Sequence, residues 1–241
     1  MSEEKEDDWD VKAKRYVGYI DIMGFKDMVA RSTHDEIYEM MKKIDKAKNH
    51  VIQTTTAMAN LNLVKTTTYS DSIMLYSKDD SYNSLLFISL CISALTHKLL
   101  IENIPHKGAL AFGEMTLDFK SSIFFGQPLI DAYLLQDELI FYGIILHATA
   151  QKEIETIHLN MESSIKNLIK NYLCPLKNGT SKHLTIQPLY TSMENSQEEF
   201  QKEESKKLFE SIQKLRYITS GHLRKYIDNT EIYLEKFRAK K

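Results

Sequence analysis

Only two cysteines occur in 241 residues, Cys91 and Cys174. That excludes a disulfide framework and leaves no thiolate set for a zinc site. Cys91 lies in an apolar, helix-like stretch and reads as core; Cys174 precedes Pro175 and reads as a loop or helix end. The eight histidines show no metal-ligand spacing, and His106 reads as a surface strand-end residue. Charge of one sign is lacking as well. Thirty-one Lys and Arg against 33 Asp and Glu leave a formal net charge of −2, without the basic field that nucleic-acid binders carry. The longest apolar run, around Leu85 to Leu95, is broken by Ser89 and Ser93 and is short for a bilayer span. The N-terminus is acidic from Glu3 to Asp8, unlike a secretory signal. These absences predict a cytoplasmic protein with no membrane and no nucleic-acid partner.

What stands out is a pair of aspartates fifty residues apart, each set in an apolar strand. Asp21 lies in Tyr16-Val-Gly-Tyr-Ile-Asp-Ile-Met-Gly-Phe-Lys26, and Asp71 in Tyr69-Ser-Asp-Ser-Ile-Met-Leu-Tyr-Ser77. Strand-end and hairpin aspartates are common. A buried charge, however, is costly unless paired, and two carboxylates on neighbouring strands repel each other. One or two divalent cations resolve both costs. Gly24 then turns the chain into a helix near Phe25, so the free amides of Gly24, Phe25 and Lys26 face the same place. Such amides bind phosphate. The Lys26 side chain reads as solvent-exposed, its amide being the functional group.

The remaining pattern supplies the frame. A helix is expected from about His34 to Thr56, capped by Thr33 or Ser32. Strands follow at 61–68 and 72–77, then a helix over 81–103, a strand over 107–115, a helix from Gly126 to about Glu138 and a strand over 143–147. The order β-α-β-β-α-β is the ferredoxin-like plan. Tyr16, Tyr19 and Tyr76 read as ordinary strand aromatics. After Ala150 the spacing predicts helices over 153–172, 196–219 and 221–237 and one strand over 183–189. The division expected is a catalytic domain over 10–150 and a mostly helical extension over 151–241 packed on it.

At this point the motifs resemble a family. Asp-Ile-x-Gly-Phe after a strand, Ser-Asp-Ser-Ile on a hairpin and Gly126-Gln-Pro-Leu-Ile-Asp-Ala132 look like the class III nucleotidyl cyclases. More narrowly, Tyr69-Ser-Asp-Ser-Ile, Lys107-Gly-Ala-Leu-Ala-Phe-Gly113, Phe125 to Tyr133 and Arg224-Lys-Tyr226 resemble the bacterial pyrimidine cyclases of the Pycsar antiphage system. The resemblance implies an α+β cyclase palm working as a head-to-tail homodimer with composite sites. It implies two Mg²⁺ or Mn²⁺ ions on Asp21, Asp71 and the Ile22 carbonyl, with the triphosphate on Gly24, Phe25 and Lys26. The reaction implied is attack of the ribose 3′-oxygen on the α-phosphorus with release of pyrophosphate, giving cyclic UMP or cyclic CMP for a downstream effector.

Departures from the adenylyl branch shape the substrate expectation. Its base-reading lysine and aspartate fall on Thr67 and Ile123, which argues against ATP and places Thr67, Tyr69 and Ile123 near a pyrimidine. Its transition-state asparagine and arginine fall on Ile130 and Leu134. Lys65, Lys107 and Arg224 are the cations left, and Tyr133 could donate a hydrogen bond; Lys107 and Tyr133 are the candidates kept beside the two aspartates. The alternative is a catalytically dead cyclase fold that senses a nucleotide. A diguanylate cyclase relative is a third reading, against which the Tyr69-Ser-Asp-Ser turn counts.

Overall fold

The computed structural model describes residues 9–59, 61–157, 165, 168–188 and 198–237. The acidic run from Glu3 to Asp8 and the last four residues of the basic C-terminus lie outside them.

Strand β1 (Lys12–Ile22) is the axis of the sheet, antiparallel to β3 (Ser72–Ser77) on one edge and to β4 (His106–Asp118) on the other. β2 (Val64–Tyr69) pairs outside β3. The order β2-β3-β1-β4, with helices crossing between β1 and β2 and between β3 and β4, is the βαββαβ plan expected from the sequence. Alternation along β1 separates two faces. Tyr16, Ile20 and Ile22 join a core with α2 (His34–Ala59) and α3 (Tyr82–Ile101). Val17 and Tyr19 contribute to two clusters on the opposite face, and Asp21 shares their parity.

The helix ends follow from local chemistry. The Thr33 hydroxyl accepts from the Glu36 amide at 3.3 Å while the Glu36 carboxylate accepts from the Thr33 amide at 2.8 Å, a reciprocal capping box for α2. Ser81 caps α3 by accepting from the Ser84 amide. At 20 residues α3 is longer than its uninterrupted apolar run and would reach across a bilayer by length alone. In this fold 67% of its most apolar stretch is buried, and it is the central core helix.

Beyond β4 the sheet continues through β6 (Ile144–Leu146), parallel to β4, then β8 (Gly179–Ile186) and β7 (Ile169–Leu176). β5 (Ile123–Phe125) pairs with the far end of β4. Two expectations need correcting. The helix foreseen over 153–172 gives way to strand at its end: α5 (Ala148–Ile157) is helical, as are Ile165 and Leu168, and β7 starts at Ile169, with 158–164 and 166–167 outside the described residues. Tyr172 and Cys174 are buried at a spacing of two, which matches a strand, and they pack with Phe141 and Tyr233. Cys174 is therefore strand core and not a loop residue. The strand foreseen at 183–189 starts earlier, at Gly179, and Leu189 lies outside the described residues. α6 (Glu198–Ile218) and α7 (Arg224–Phe237) lie near the expected positions and cover the second core.

β1 and β4 approach so closely that a Cβ on Gly108 would stand 2.4 Å from the Tyr19 carbonyl and 2.7 Å from Ile144 Cδ1. Backbone cannot yield as a flexible side chain can. Gly108→Ala should therefore destabilise the fold by about 2 kcal/mol or more, read as a lower urea midpoint; an unchanged midpoint would mean that the strands separate freely there.

Candidate active site

The pairing of β1 brings the two aspartates together. Asp21 stands in register with Ser72 on β3 and with Lys107 on β4. Tyr69 and Ser72 close the β2–β3 hairpin over a two-residue loop, Ser70-Asp71. Ser70 takes a positive φ of 54°, as the first loop position of a primed hairpin turn requires. The Ile22 amide donates to the Asp71 carbonyl at 2.9 Å, so the hairpin tip is tied to the residue after Asp21. Burial, then the charge of Asp71, push the Asp21 carboxyl up to about 6, and the opposing pull of Lys107 is too weak to cancel them.

Lys107 is itself committed elsewhere. Its side chain is buried, and Nζ donates to the Asp137 carbonyl at 3.0 Å and lies 3.6 Å from the Asp137 carboxylate. The other Asp137 oxygen accepts from Lys177 Nζ at 2.7 Å. Burial lowers the Lys107 ammonium against the pull of Asp137, whereas Lys177 is raised by its hydrogen bond to that carboxylate. Asp137, the last residue of α4 (Gln127–Asp137), is held low, first by Lys177.

Two hydroxyls that the sequence did not single out belong here. Tyr19 Oη and Ser72 Oγ are hydrogen-bonded at 2.5 Å, and burial raises the Tyr19 phenol, with Asp21 and Asp71 adding to the shift. Tyr19 was legible only through parity: two residues before Asp21, on the same face. Tyr133 meets Tyr19 edge to face at 5.5 Å between ring centres, which places this expected residue beside the site. Tyr76 remains a buried core aromatic.

The expected phosphate cradle lies at the same end of β1, two residues past Ile22. Gly24 takes φ 75° before the seven-residue helix α1 (Phe25–Arg31), which has no side-chain cap. A Cβ on Gly24 would meet nothing within 4 Å, so the loop is open to a ligand. The Met23 amide donates to the Pro105 carbonyl at 2.9 Å and pins the turn. The Lys26 side chain is exposed.

The base-lining set does not converge on Asp21 within one chain. Thr67 bonds the Tyr76 hydroxyl at 3.0 Å, and Tyr69 is 79% exposed at the hairpin end. Ile123 pairs with Asp118, eleven residues along β4 from Lys107, or about 36 Å at 3.3 Å per residue. Ile130 and Leu134 are exposed on α4. Lys65 lies over the Trp9 and Phe119 rings at 4.7 and 4.6 Å, a cation–π role away from the aspartates. His106 corrects the surface expectation: it is fully buried, its Nδ1 lies 2.9 Å from the Ile104 carbonyl, and burial pushes it down to about 4, so it is neutral at physiological pH.

Among the described residues no three His, Cys, Asp or Glu side chains cluster as a metal site. Two carboxylates and a backbone carbonyl are nonetheless hard oxygen donors of the kind Mg²⁺ and Mn²⁺ take, with water and phosphate completing the shell. Asp21 is raised first by burial and then by the charge of Asp71, costs that a cation would offset, so the residues present fit such an ion.

No protein-family model matches the sequence, and no curated protein does. Among solved structures the chain is similar to the guanylyl cyclase Cya2, with 11% identity, 76% of this chain and 98% of that one covered and a TM-score of 0.51. It is also similar to the catalytic core of a rhodopsin-guanylyl cyclase with converted specificity in complex with ATPalphaS, with 11% identity, 73% and 96% covered and a TM-score of 0.50. The chain has the class III cyclase fold. At these identities the likeness is one of fold. On that cyclase fold, Asp21 and Asp71 occupy the end of the central strand and the tip of the adjoining hairpin.

A carboxyl whose folded pKa lies above its unfolded value costs stability as pH rises through the interval, here from about 4 to about 6, and the full cost persists above it. Asp21→Asn should thus raise the Tm of the metal-free protein at pH 8 and leave it unchanged near pH 4. Mn²⁺ should raise the Tm of the unmodified protein at pH 8 far more than that of the variant. Equal melting temperatures at pH 8 without metal would show that Asp21 carries no such penalty.

Proposed function

We propose that this chain is a cytoplasmic pyrimidine nucleotide cyclase that converts UTP, or CTP, to the 3′,5′-cyclic monophosphate and pyrophosphate, a second messenger for an antiphage effector. The observation that carries the reading is the Asp21–Asp71 pair, half-buried, mutually repelling and positioned by β1 on a cyclase fold. Residues 10–150 would carry the chemistry, with 151–241 as the extension. Asp21, Asp71 and the Ile22 carbonyl would hold Mg²⁺ or Mn²⁺, which when bound neutralises triphosphate charge and makes the 3′-hydroxyl easier to deprotonate.

The chain's own groups then have distinct tasks. The open loop at Gly24 and the amides of Phe25 and Lys26 bind the triphosphate and fix the α-phosphorus. Lys107, held by Asp137, acts on Asp21 only as a nearby positive charge, and Tyr133 supplies a hydroxyl next to Tyr19. The 3′-hydroxyl gives up its proton to solvent as its oxygen attacks the α-phosphorus, the bond to the bridging oxygen breaks, and pyrophosphate leaves with that electron pair. Thr67, Tyr69 and Ile123 lack the charged pair that reads adenine, which favours a pyrimidine. A second copy of the chain completes the site. That part of the reading is supported by the remoteness of Ile123 from Asp21 and by the exposed apolar residues Phe125, Ile130, Tyr133 and Leu134 on and before α4.

The second reading is a nucleotide sensor without turnover, favoured by the apolar Ile130 and Leu134 and by the commitment of Lys107 to Asp137. One assay separates the two. The purified protein is incubated with Mn²⁺ and each of the four ribonucleoside triphosphates in turn, and products are read by mass spectrometry. A cyclic pyrimidine monophosphate from one of them is the expected result; binding without product favours the sensor. Asp71→Asn should abolish turnover while the circular dichroism and melting profile stay those of a folded protein, and retained turnover in a folded variant would refute the metal assignment.

A further inference from the structure

We propose that Asp137 is a positioning residue of the metal site: it holds the Lys107 ammonium away from Asp21 and so keeps the Asp21–Asp71 pair open to a divalent cation. The proposal rests on the two-metal reading above. Lys107 and Asp21 are directly opposed across β1 and β4, and opposed residues of an antiparallel pair have Cβ atoms about 4.5–5.5 Å apart. A four-carbon stem reaches a carboxylate at that range easily. The two aspartates are short of positive charge, and Lys107 is the cation across the strand from one of them. Left alone, it would close the ion pair and occupy the place of the metal.

The geometry shows what diverts it. Nζ turns to the end of α4, where the Asp137 carbonyl accepts at 3.0 Å and the carboxylate lies 3.6 Å away. That carboxylate is more than half exposed and would wander without a second tether. Lys177 provides one at 2.7 Å from the other oxygen. Lys177 sits at the tip of the β7–β8 hairpin, whose backbone is fastened to the same segment: the Lys177 amide donates to the Glu138 carbonyl at 2.8 Å and the Ile140 amide to the Pro175 carbonyl at 3.1 Å. The extension beyond residue 150 thereby reaches the site through one carboxylate.

The test is a double-mutant cycle on Mn²⁺ binding. Aqueous Mn²⁺ alone is titrated into the full chain at pH 8 and free Mn²⁺ is read by electron paramagnetic resonance, for the unmodified protein, Asp137→Asn, Lys107→Met and the double variant. Asp137→Asn should weaken binding about tenfold when Lys107 is present and by less than about twofold in the Lys107→Met background. Equal losses in both backgrounds would make Asp137 a remote charge or a structural residue and overturn the proposal, as would no loss in either. Mn²⁺ bound by Lys107→Met but not by the unmodified protein would mean that Lys107 fills the site despite Asp137, which also overturns it. No Mn²⁺ bound by either of those two proteins would instead remove the two-metal reading on which it rests.

Discussion

Everything at this site depends on β1 being hydrogen-bonded along both edges. A strand with two partners cannot shift register without breaking two ladders at once, and a slip of one residue would move every side chain to the opposite face. Tyr16, Ile20 and Ile22 are fully or nearly fully buried against α2 and α3, so the apolar parity of β1 is fixed by the core. Asp21 is then obliged to face the other side. The same ladders set Ser72 and Lys107 as its cross-strand neighbours and bring the Asp71 turn onto the Ile22 amide. The position of both carboxylates is thus a consequence of hydrophobic packing on the far face of the sheet.

The electrostatics follow from that placement. Burial and a like charge raise Asp21, while the nearest ammonium donates its hydrogen bond to Asp137. Three carboxylates and two lysines form one coupled group, and the lysines are both bound to the carboxylate furthest from the proposed metal. An arrangement evolved only for stability would pair Lys107 with Asp21 and lower the cost of burying each. On the proposed metal reading, the charge left uncompensated at Asp21 would be stability given up in favour of a cation.

Much of this was legible in the sequence because its signals were local. The strand–Gly24–helix transition, the Ser70-Asp71 turn and the β-α-β-β-α-β order depend on residues within a few positions of one another, and each stands where expected. Tyr19 reads as an ordinary strand aromatic by residue type alone; its hydroxyl becomes informative only once Asp21 is known to share its face. His106 was misplaced because a polar residue next to Pro105 suggests a surface, whereas the register pairs it with Ile22 inside the first core. The first four residues of β7, 169–172, carry a helical spacing in sequence, because the burial that makes them strand depends on Tyr233 and Phe237, some sixty residues later. The Lys107–Asp137–Lys177 group lay beyond reach for the same reason: its members are thirty and forty residues apart, and only the docking of the hairpin joins them.

The geometry also bears on why the proposed cyclase would need a second copy. β4 carries Lys107 beside Asp21 at one end and the partner of Ile123 at the other. A strand is stiff on this length scale, so no rearrangement within one chain brings a base lined by Ile123 to a triphosphate held at Gly24. A nucleoside triphosphate is shorter than the separation of about 36 Å. A two-fold axis near the middle of the sheet, with chains head to tail, would set the Ile123 end of one copy against the Asp21 end of the other and form two equivalent sites. α4 packs on β1 and β4 and leaves Ile130, Tyr133 and Leu134 exposed, where such a partner would cover them. In that arrangement Tyr133 serves two ends, since its ring contacts Tyr19 within its own chain while its neighbours meet the second copy.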